Sequence, residues 1–164
     1  MNRNQRGFTL IEVILSIAIA GLLGVGVTST ISQTIGVNTI ASQHMIAVQQ
    51  VENAGYWMNY DTLMAQAIAP SVGSGFPLSL TWVSWSGDTT QVTYALSSNN
   101  FQRSVSVNGG VATQTVVAQN INPDPVKTNC SFSAHVLTFN VSATVGPTTE
   151  SRIYQIKQRP DNIP

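Results

Sequence analysis

The sequence has few charged residues and a single cysteine, and each shortage excludes a class of protein. Charged residues make up 9% of the 164 residues, and seven basic and seven acidic side chains leave a formal charge of zero. A typical soluble domain is about 25% charged. Because phosphate binding needs clustered cations, this composition argues against a nucleic-acid partner. Cys130 cannot pair within the chain, so a disulfide scaffold is excluded. An apolar fraction of 43% argues against disorder.

The few charges are distributed unevenly, and a long apolar segment lies near the N-terminus. Arg3 and Arg6 precede a run from Phe8 to Val27 in which Glu12 is the one charged residue. The next Asp, Glu, Lys or Arg is Glu52. At about 1.5 Å of rise per helical residue, the run spans about 30 Å, the thickness of a bilayer's hydrocarbon core. The arginines on its N-terminal side predict a cytoplasmic N-terminus and an exported remainder.

Two ordinary explanations account poorly for this segment. A cleaved secretory signal has an apolar region of about 7–15 residues, followed by a small-residue cleavage site. Here the run is longer, and the small residues of Ala18–Ala20 lie inside it. A plain membrane anchor explains the length and orientation but not Glu12, because a carboxylate inside a membrane helix costs about 2.5–3.5 kcal/mol. Glu12 is therefore a candidate functional residue that needs a partner.

The segment from Arg6 to Glu12, Arg-Gly-Phe-Thr-Leu-Ile-Glu, closely resembles the class III signal sequence of bacterial type IV pilins and type II secretion pseudopilins. In that family a membrane peptidase cuts after the glycine, on the cytoplasmic side, and the new terminal residue is N-methylated. The resemblance implies cleavage between Gly7 and Phe8, which removes a leader of residues 1–7. It also implies that Phe8 is the N-methylated residue.

Glu12 occupies the position of the family's glutamate, four residues after the new terminus. About one helical turn separates the Glu12 carboxylate from the new α-amine, so both lie on one helix face. The carboxylate can pair with its own terminus or with that of a neighbouring subunit, and the resemblance implies the second pairing during filament assembly. The alternative is an anchored exported protein whose glutamate is accidental.

The helical pattern continues past the apolar segment. Apolar residues recur every three or four positions as far as Leu63, and Pro70 ends the pattern. We predict one helix from Phe8 to Ala69, with a transmembrane and assembly part at residues 8–27 and an amphipathic part at residues 28–69. Small residues in its middle favour either close packing of membrane helices or a stretch that loosens on assembly.

Residues 76–164 have the alternating pattern of a β-sheet head. Turn residues separate six predicted strands, which are Leu78–Trp85, Gln91–Ser97, Phe101–Val107, Val111–Ala118, Ser131–Val141 and Arg152–Lys157. In the fifth predicted strand, the alternation of apolar and polar residues is interrupted between Val136 and Leu137. This interruption indicates a bulge or a move between sheets. The predicted fold is α+β, a pilin-like lollipop whose long N-terminal helix packs on an antiparallel head of about five or six strands.

The sequence shows no catalytic or metal-binding pattern. His44 on the helix and His135 in a predicted strand lack the neighbours that a hydrolase or a zinc site needs. We interpret His135 as solvent-facing and Cys130 as a buried free thiol, with an intermolecular disulfide as the alternative. The oxygen-bearing residues around Asp124 lie among prolines and predict a turn, with a calcium site as the alternative. We expect no enzyme activity, no cofactor and no metal.

The leading hypothesis is a structural, minor subunit of a type IV pilus or of a type II secretion or competence pseudopilus. The first strands also resemble those of the larger, J-type minor pseudopilins. Expected partners are a prepilin peptidase/N-methyltransferase, sibling pilins or pseudopilins, the inner-membrane assembly platform and membrane lipid. The expected location is the cytoplasmic membrane, single-pass with an extracytoplasmic head, and then the filament. The alternatives are a pilus-tip adhesin, a DNA-uptake pilin and an anchored hydrolase.

Overall fold

The computed structural model describes residues 9–69 and 75–158. Within them the elements are α1 (Leu10–Met64), β1 (Ala67–Ala69), β2 (Leu78–Val83), β3 (Thr89–Ser97), β4 (Asn100–Val107), β5 (Thr113–Ala118), β6 (Asn129–Ser133), β7 (Val136–Val145) and β8 (Thr148–Lys157). An antiparallel five-stranded sheet has the order β1-β2-β3-β4-β5, and an antiparallel three-stranded sheet has the order β6-β7-β8. The predicted α+β class, with a long apolar N-terminal helix and antiparallel strands, is confirmed.

The chain divides into two compact units, Met1–Ala41 and Ser42–Pro164, and α1 contributes to both. In the described part of the first unit, α1 exposes apolar side chains on every face. An 18-residue window of α1 has a mean hydropathy of 2.4, and none of it is buried. A helix that is apolar all round has the composition of a membrane span.

Hydroxyl side chains in this part of α1 bond to their own helix. Thr28 donates to the carbonyl of Gly24 at 2.9 Å, and Thr30 donates to that of Gly26 at 3.0 Å. Because each hydroxyl donates to a carbonyl one turn earlier, its hydrogen-bonding capacity is met without water. These residues therefore keep the segment compatible with an apolar environment.

The second unit has one core between α1 and the two sheets. The α1 residues Ala47, Val51, Ala54 and Met58 recur at helical spacing and are fully buried. An aromatic row crosses from one sheet to the other through Tyr94, Phe101, Phe139 and Tyr154, with successive ring centroids 5.2, 5.4 and 6.2 Å apart. Such pairs contribute about 0.5–1.5 kcal/mol each beyond the area they bury. The Phe101–Phe139 contact joins the two sheets.

Gly55 permits a close approach between α1 and the second sheet. A Cβ placed at Gly55 would overlap the ring of Tyr154, so only glycine leaves room for this tyrosine. The hydroxyl of Tyr154 donates to the carbonyl of Val51 at 3.3 Å. The ring of Tyr154 therefore packs against the helix at Gly55, and burial raises the pKa of its hydroxyl.

A buried ionic cluster joins α1 to the first sheet. Arg103 on β4 donates from Nε and from its terminal nitrogen to the two carboxylate oxygens of Asp61, at 2.6 and 2.8 Å. Asp61 is completely buried, and the Tyr94 hydroxyl donates to it at 2.5 Å. Trp57 covers the guanidinium, whose carbon lies 4.7 Å from the ring centroid. The hydrogen bonds to Asp61 raise the pKa of Arg103, and burial raises that of Tyr94.

Helix α1 ends at Met64, earlier than the predicted end at Ala69, so the predicted amphipathic part at residues 28–69 includes a strand. Ala67–Ala69 pair with β2 instead, and Ile68 between them is buried. Pairing with an existing strand overrides the local helical preference of this alanine-rich stretch. The side chain of Gln158 then donates to the carbonyls of Ala65 and Gln66, at 3.1 and 2.8 Å, and satisfies two groups at the helix end.

The described residues form eight strands in two sheets, where the sequence predicts about five or six in one. The predicted strand Ser131–Val141 is in fact the hairpin β6–β7, whose turn residues Ala134 and His135 have φ values of 49° and 63°. The predicted bulge or change of sheet at Val136 is therefore wrong, and His135 is exposed in a turn and not in a strand. Turns with two positive φ values usually contain Asn or Gly, and neither occurs here.

Replacing Asp61 with Ala should lower the free energy of unfolding by about 3–5 kcal/mol, because it leaves the guanidinium of Arg103 buried without its partner. Thermal unfolding of the detergent-solubilised chain, followed by near-ultraviolet circular dichroism, measures the change. The matched control is Glu52→Ala, because Glu52 and Arg152 form a half-exposed pair at 3.8 Å. That pair should contribute at most about 1 kcal/mol. Equal losses in the two variants would contradict a stabilising role for the buried cluster.

Cys130 should resist alkylation until the protein unfolds. The thiol is buried, donates to the carbonyl of Gly75 at 2.9 Å, and has its pKa raised to about 11 by burial. The neutral form is therefore favoured in the folded state as long as the pH stays below that value, and at about pH 8 only about one thiol in a thousand is ionised. Rapid labelling by iodoacetamide without denaturant, as fast as in urea, would contradict the buried free thiol.

Candidate functional site: the N-terminal methylation segment

The predicted cleavage site lies at the edge of the described chain. Gly7 and Phe8, predicted as the cleavage site and the methylated residue, fall outside the described residues. The described site begins at Thr9, directly before α1 starts at Leu10. It therefore contains Glu12 and the start of the helix.

Thr9 and Glu12 form the two ends of a helix-capping arrangement. The amide of Glu12 donates to the carbonyl of Thr9 at 3.1 Å, which closes the first turn. The Glu12 carboxylate reaches back to the amide and the hydroxyl of Thr9, each at 3.5 Å. The spacing Thr-x-x-Glu is the sequence signature of a capping box. Thr9 is not among the site residues expected from the sequence, although this spacing identifies it.

The position of the Glu12 carboxylate follows from this geometry. The amide of Thr9 belongs to the peptide bond that follows Phe8, so the carboxylate lies beside the first peptide after the predicted terminus. A negative charge in the first turn is also favoured by the unpaired N–H groups of the helix start. The observed side-chain direction is therefore towards the N-terminal end of the chain, as an interaction with a terminal amine requires.

The surroundings of Glu12 are apolar and exposed. Leu10, Ile11 and Val13 beside it are 82%, 76% and 47% exposed. Between residues 9 and 41 the sequence offers no Lys or Arg that could pair with the carboxylate. In lipid an unpaired carboxylate is costly. Residues 9–41 therefore supply no cation for Glu12, and the amine of the predicted terminus at Phe8 is a candidate partner.

Helix α1 is unbroken through its small residues. A Cβ added at Gly21, Gly24 or Gly26 would meet no other atom, so these glycines are not required by contacts within the chain. Small residues on a helix face allow a second helix to approach closely. Gly21 and Gly24 share a face with Thr28, whereas Gly26 lies on another face with Thr30. Both faces are consistent with helix packing, and the alternative of a stretch that loosens on assembly stays a prediction.

The ligand-type residues His44, His135 and Asp124, for which the sequence predicts no site, do not form a group. His44 lies on α1 with its Nε2 3.7 Å from Glu150, while His135 lies in the β6–β7 turn. Asp124 accepts a hydrogen bond from the amide of Val126 at 2.9 Å, as in a turn. Among residues 9–69 and 75–158, no three His, Cys, Asp or Glu side chains form a group that could hold a metal ion.

Comparison with known proteins identifies the N-terminal segment. Residues 2–28 match the family model of the prokaryotic N-terminal methylation motif. The chain thus carries a prepilin signal of the type IV pilin and pseudopilin type, as the sequence predicts. Such a signal implies processing by a prepilin peptidase and assembly with other pilins, and it indicates a structural subunit. No curated protein and no solved structure matches the chain.

Substitution of Gly7 by Leu should prevent leader removal, because a side chain at this position would stand beside the scissile bond in the peptidase. In a host that has the peptidase, mass spectrometry of the membrane-extracted wild-type protein should show a mature N-terminus at Phe8 carrying one methyl group. The Gly7→Leu variant should retain Met1. The control Gly21→Ala changes a glycine with open space around it and should be processed normally. A wild-type protein that retains Arg6 would contradict the assignment.

Proposed function

We propose that the chain is a structural, minor subunit of a type IV pilus or of a type II secretion or competence pseudopilus. It assembles through α1 after cleavage between Gly7 and Phe8 and methylation of Phe8. The observation that carries this proposal is the methylation motif at residues 2–28, joined to an apolar helix in which Glu12 is the one charge before Glu52. The head is then extracytoplasmic, with the N-terminus at the cytoplasmic side of the membrane.

Glu12 supplies a driving force for assembly in this mechanism. A carboxylate in the bilayer is unfavourable by about 2.5–3.5 kcal/mol. In the filament it pairs with the methylated amine of a neighbouring subunit, so the cost of the unpaired charge is relieved. This difference in free energy corresponds to a change of about one hundred-fold in the ratio of filament-bound to membrane-bound subunit. The capping contact with Thr9 holds the carboxylate on the side of the helix where the amine arises.

The described head supports a minor subunit more than a DNA-binding one. It is built from strands, without a second helix among residues 65–69 and 75–158. Of its arginines in the described part, Arg103 is paired with buried Asp61, and Arg152 lies near Glu52 and Glu150. Neither arginine is therefore available for the cationic cluster that a DNA-uptake subunit would need. Lys127 and Lys157 are the two lysines among residues 75–158. So few cations give little support to DNA binding.

Glu12→Ala should be cleaved and inserted normally but should enter filaments about one hundred-fold less, because the variant is more stable in lipid and lacks the pairing group. Shearing of cells, followed by quantification of the subunit in the filament fraction and the membrane fraction, measures the change. Glu52→Ala is the control, since it removes an exposed acid from the same helix outside the apolar segment. Normal assembly of Glu12→Ala would refute the role given to this carboxylate.

A further inference from the structure

One asparagine of the chain is followed by a glycine, and it lies in the turn between β4 and β5. This pair is Asn108 and Gly109, while each other asparagine is followed by a residue that has a side chain. Because glycine has no Cβ, its backbone nitrogen can approach the preceding asparagine side chain without steric hindrance. Asn108 is therefore the asparagine of this chain that is most open to attack by the backbone.

The reaction open to this pair exchanges the side-chain amide for a carboxylate. The backbone nitrogen of Gly109 loses its proton to a solvent base and bonds to the side-chain carbonyl carbon of Asn108. The bond from that carbon to the side-chain nitrogen breaks, and the nitrogen takes up a proton and leaves as ammonia. Water then opens either carbonyl of the resulting cyclic imide and leaves aspartate or its β-linked isomer. Nothing is oxidised or reduced, and water is the co-reactant.

The turn gives solvent access to the reacting atoms. Asn108, Gly109 and Gly110 are all exposed, and a Cβ placed at Gly109 would meet no atom within 4 Å. The amide of Gly110 donates to the carbonyl of Val107 at 2.9 Å, which closes the turn. Water and a proton acceptor can therefore reach Asn108 and Gly109 while the strands on either side stay paired.

The side chain of Asn108 joins this turn to the neighbouring turn between β2 and β3. Its nitrogen donates to a carboxylate oxygen of Asp88 at 2.8 Å, and its oxygen accepts from the amide of Thr89 at 2.9 Å. The hydrogen bond to Asp88 is lost when the nitrogen leaves as ammonia. Because this bond involves a charged group, it is among the stronger ones in a protein. Asp88 therefore stabilises the unmodified side chain and slows the exchange.

The exchange would turn an attraction into a repulsion. Hydrogen bonds from Ser86 and Asn108 lower the pKa of Asp88, so its carboxylate is ionised at neutral pH. A carboxylate in place of the Asn108 amide would lie beside it, and like charges in direct contact destabilise a sheet. The β-linked product would also add a carbon to the backbone of the turn. Either product therefore removes the bridge between the two turns.

We propose that Asn108 is a site of spontaneous modification, at which attack by Gly109 converts the side-chain amide to a carboxylate and separates the β4–β5 turn from the β2–β3 turn. Asp88 delays the reaction in the folded chain through its hydrogen bond to Asn108. The modified fraction rises with the age of the molecule, because no step reverses the loss of ammonia.

The test follows the peptide that contains Asn108 by mass spectrometry while the detergent-solubilised full chain is incubated in mildly alkaline buffer. Asn108 should be modified before the other asparagines, and Asp88→Ala should raise the rate about tenfold or more, because a hydrogen bond to a charged group is lost. The matched control is Asp124→Ala, which removes an exposed carboxylate that accepts from the amide of Val126 in another turn. The control should leave the rate at Asn108 unchanged, and circular dichroism verifies that both variants fold.

A second measurement tests the loss of the bridge. Asn108→Asp reproduces one product and should lower the midpoint of thermal unfolding by about 2–4 °C. Adding Asp88→Asn to this variant should restore most of the loss, because it removes one of the two facing charges.

Three results would overturn the proposal. Modification spread evenly over the asparagines, or absent from Asn108, would show that the turn is not a reactive site. An unchanged rate in Asp88→Ala would remove the delaying role of Asp88. An Asn108→Asp variant as stable as the wild type would show that the exchange does not break the bridge.

Discussion

The bidentate ion pair between Asp61 and Arg103 fixes α1 on the head in one arrangement. Because Asp61 is fully buried, any shift of the helix along the sheet would leave a charge without its partner in an apolar interior. Tyr94 and Trp57 surround the pair, so its position is defined from both the helix and the sheet. The same continuous helix carries Glu12 in its first turn. The proposed assembly through Glu12 therefore requires a helix that stays attached to its head.

The features that could be predicted from the sequence are local. The methylation motif is a run of adjacent residues, and the turn at Asn108 and Gly109 has the residues that its φ values demand, so both were predicted. The turn at Ala134 and His135 adopts similar φ values without either residue, so the sequence pattern predicts a single strand where the chain forms a hairpin. Where the local sequence does not favour one of two conformations, pairing with neighbouring strands determines which one forms.

The features that could not be predicted depend on contacts between distant parts of the chain. Asp61 and Arg103 are 42 positions apart, and each is unremarkable in its own segment. Helix α1 ends at Met64 because Ala67–Ala69 pair with a strand that follows later in the sequence. At the candidate site the contact is between near neighbours in the sequence, since Glu12 and its capping residue Thr9 are three positions apart. The chemistry of this segment is therefore readable from adjacent residues, and the Thr-x-x-Glu spacing is the signal that identifies Thr9.

The scarcity of charge has two different causes in the two units. In the second unit each buried charge needs a partner, and the head accommodates one such pair through an elaborate set of contacts around Asp61. In the described part of the first unit no such contacts exist, because α1 exposes its side chains on every face. Each additional charge there would cost about 2.5–3.5 kcal/mol in lipid with nothing to offset it. The terminal amine proposed at Phe8 would offset the cost of one carboxylate, and the first turn of α1, where Glu12 lies, is the place that such an amine can reach.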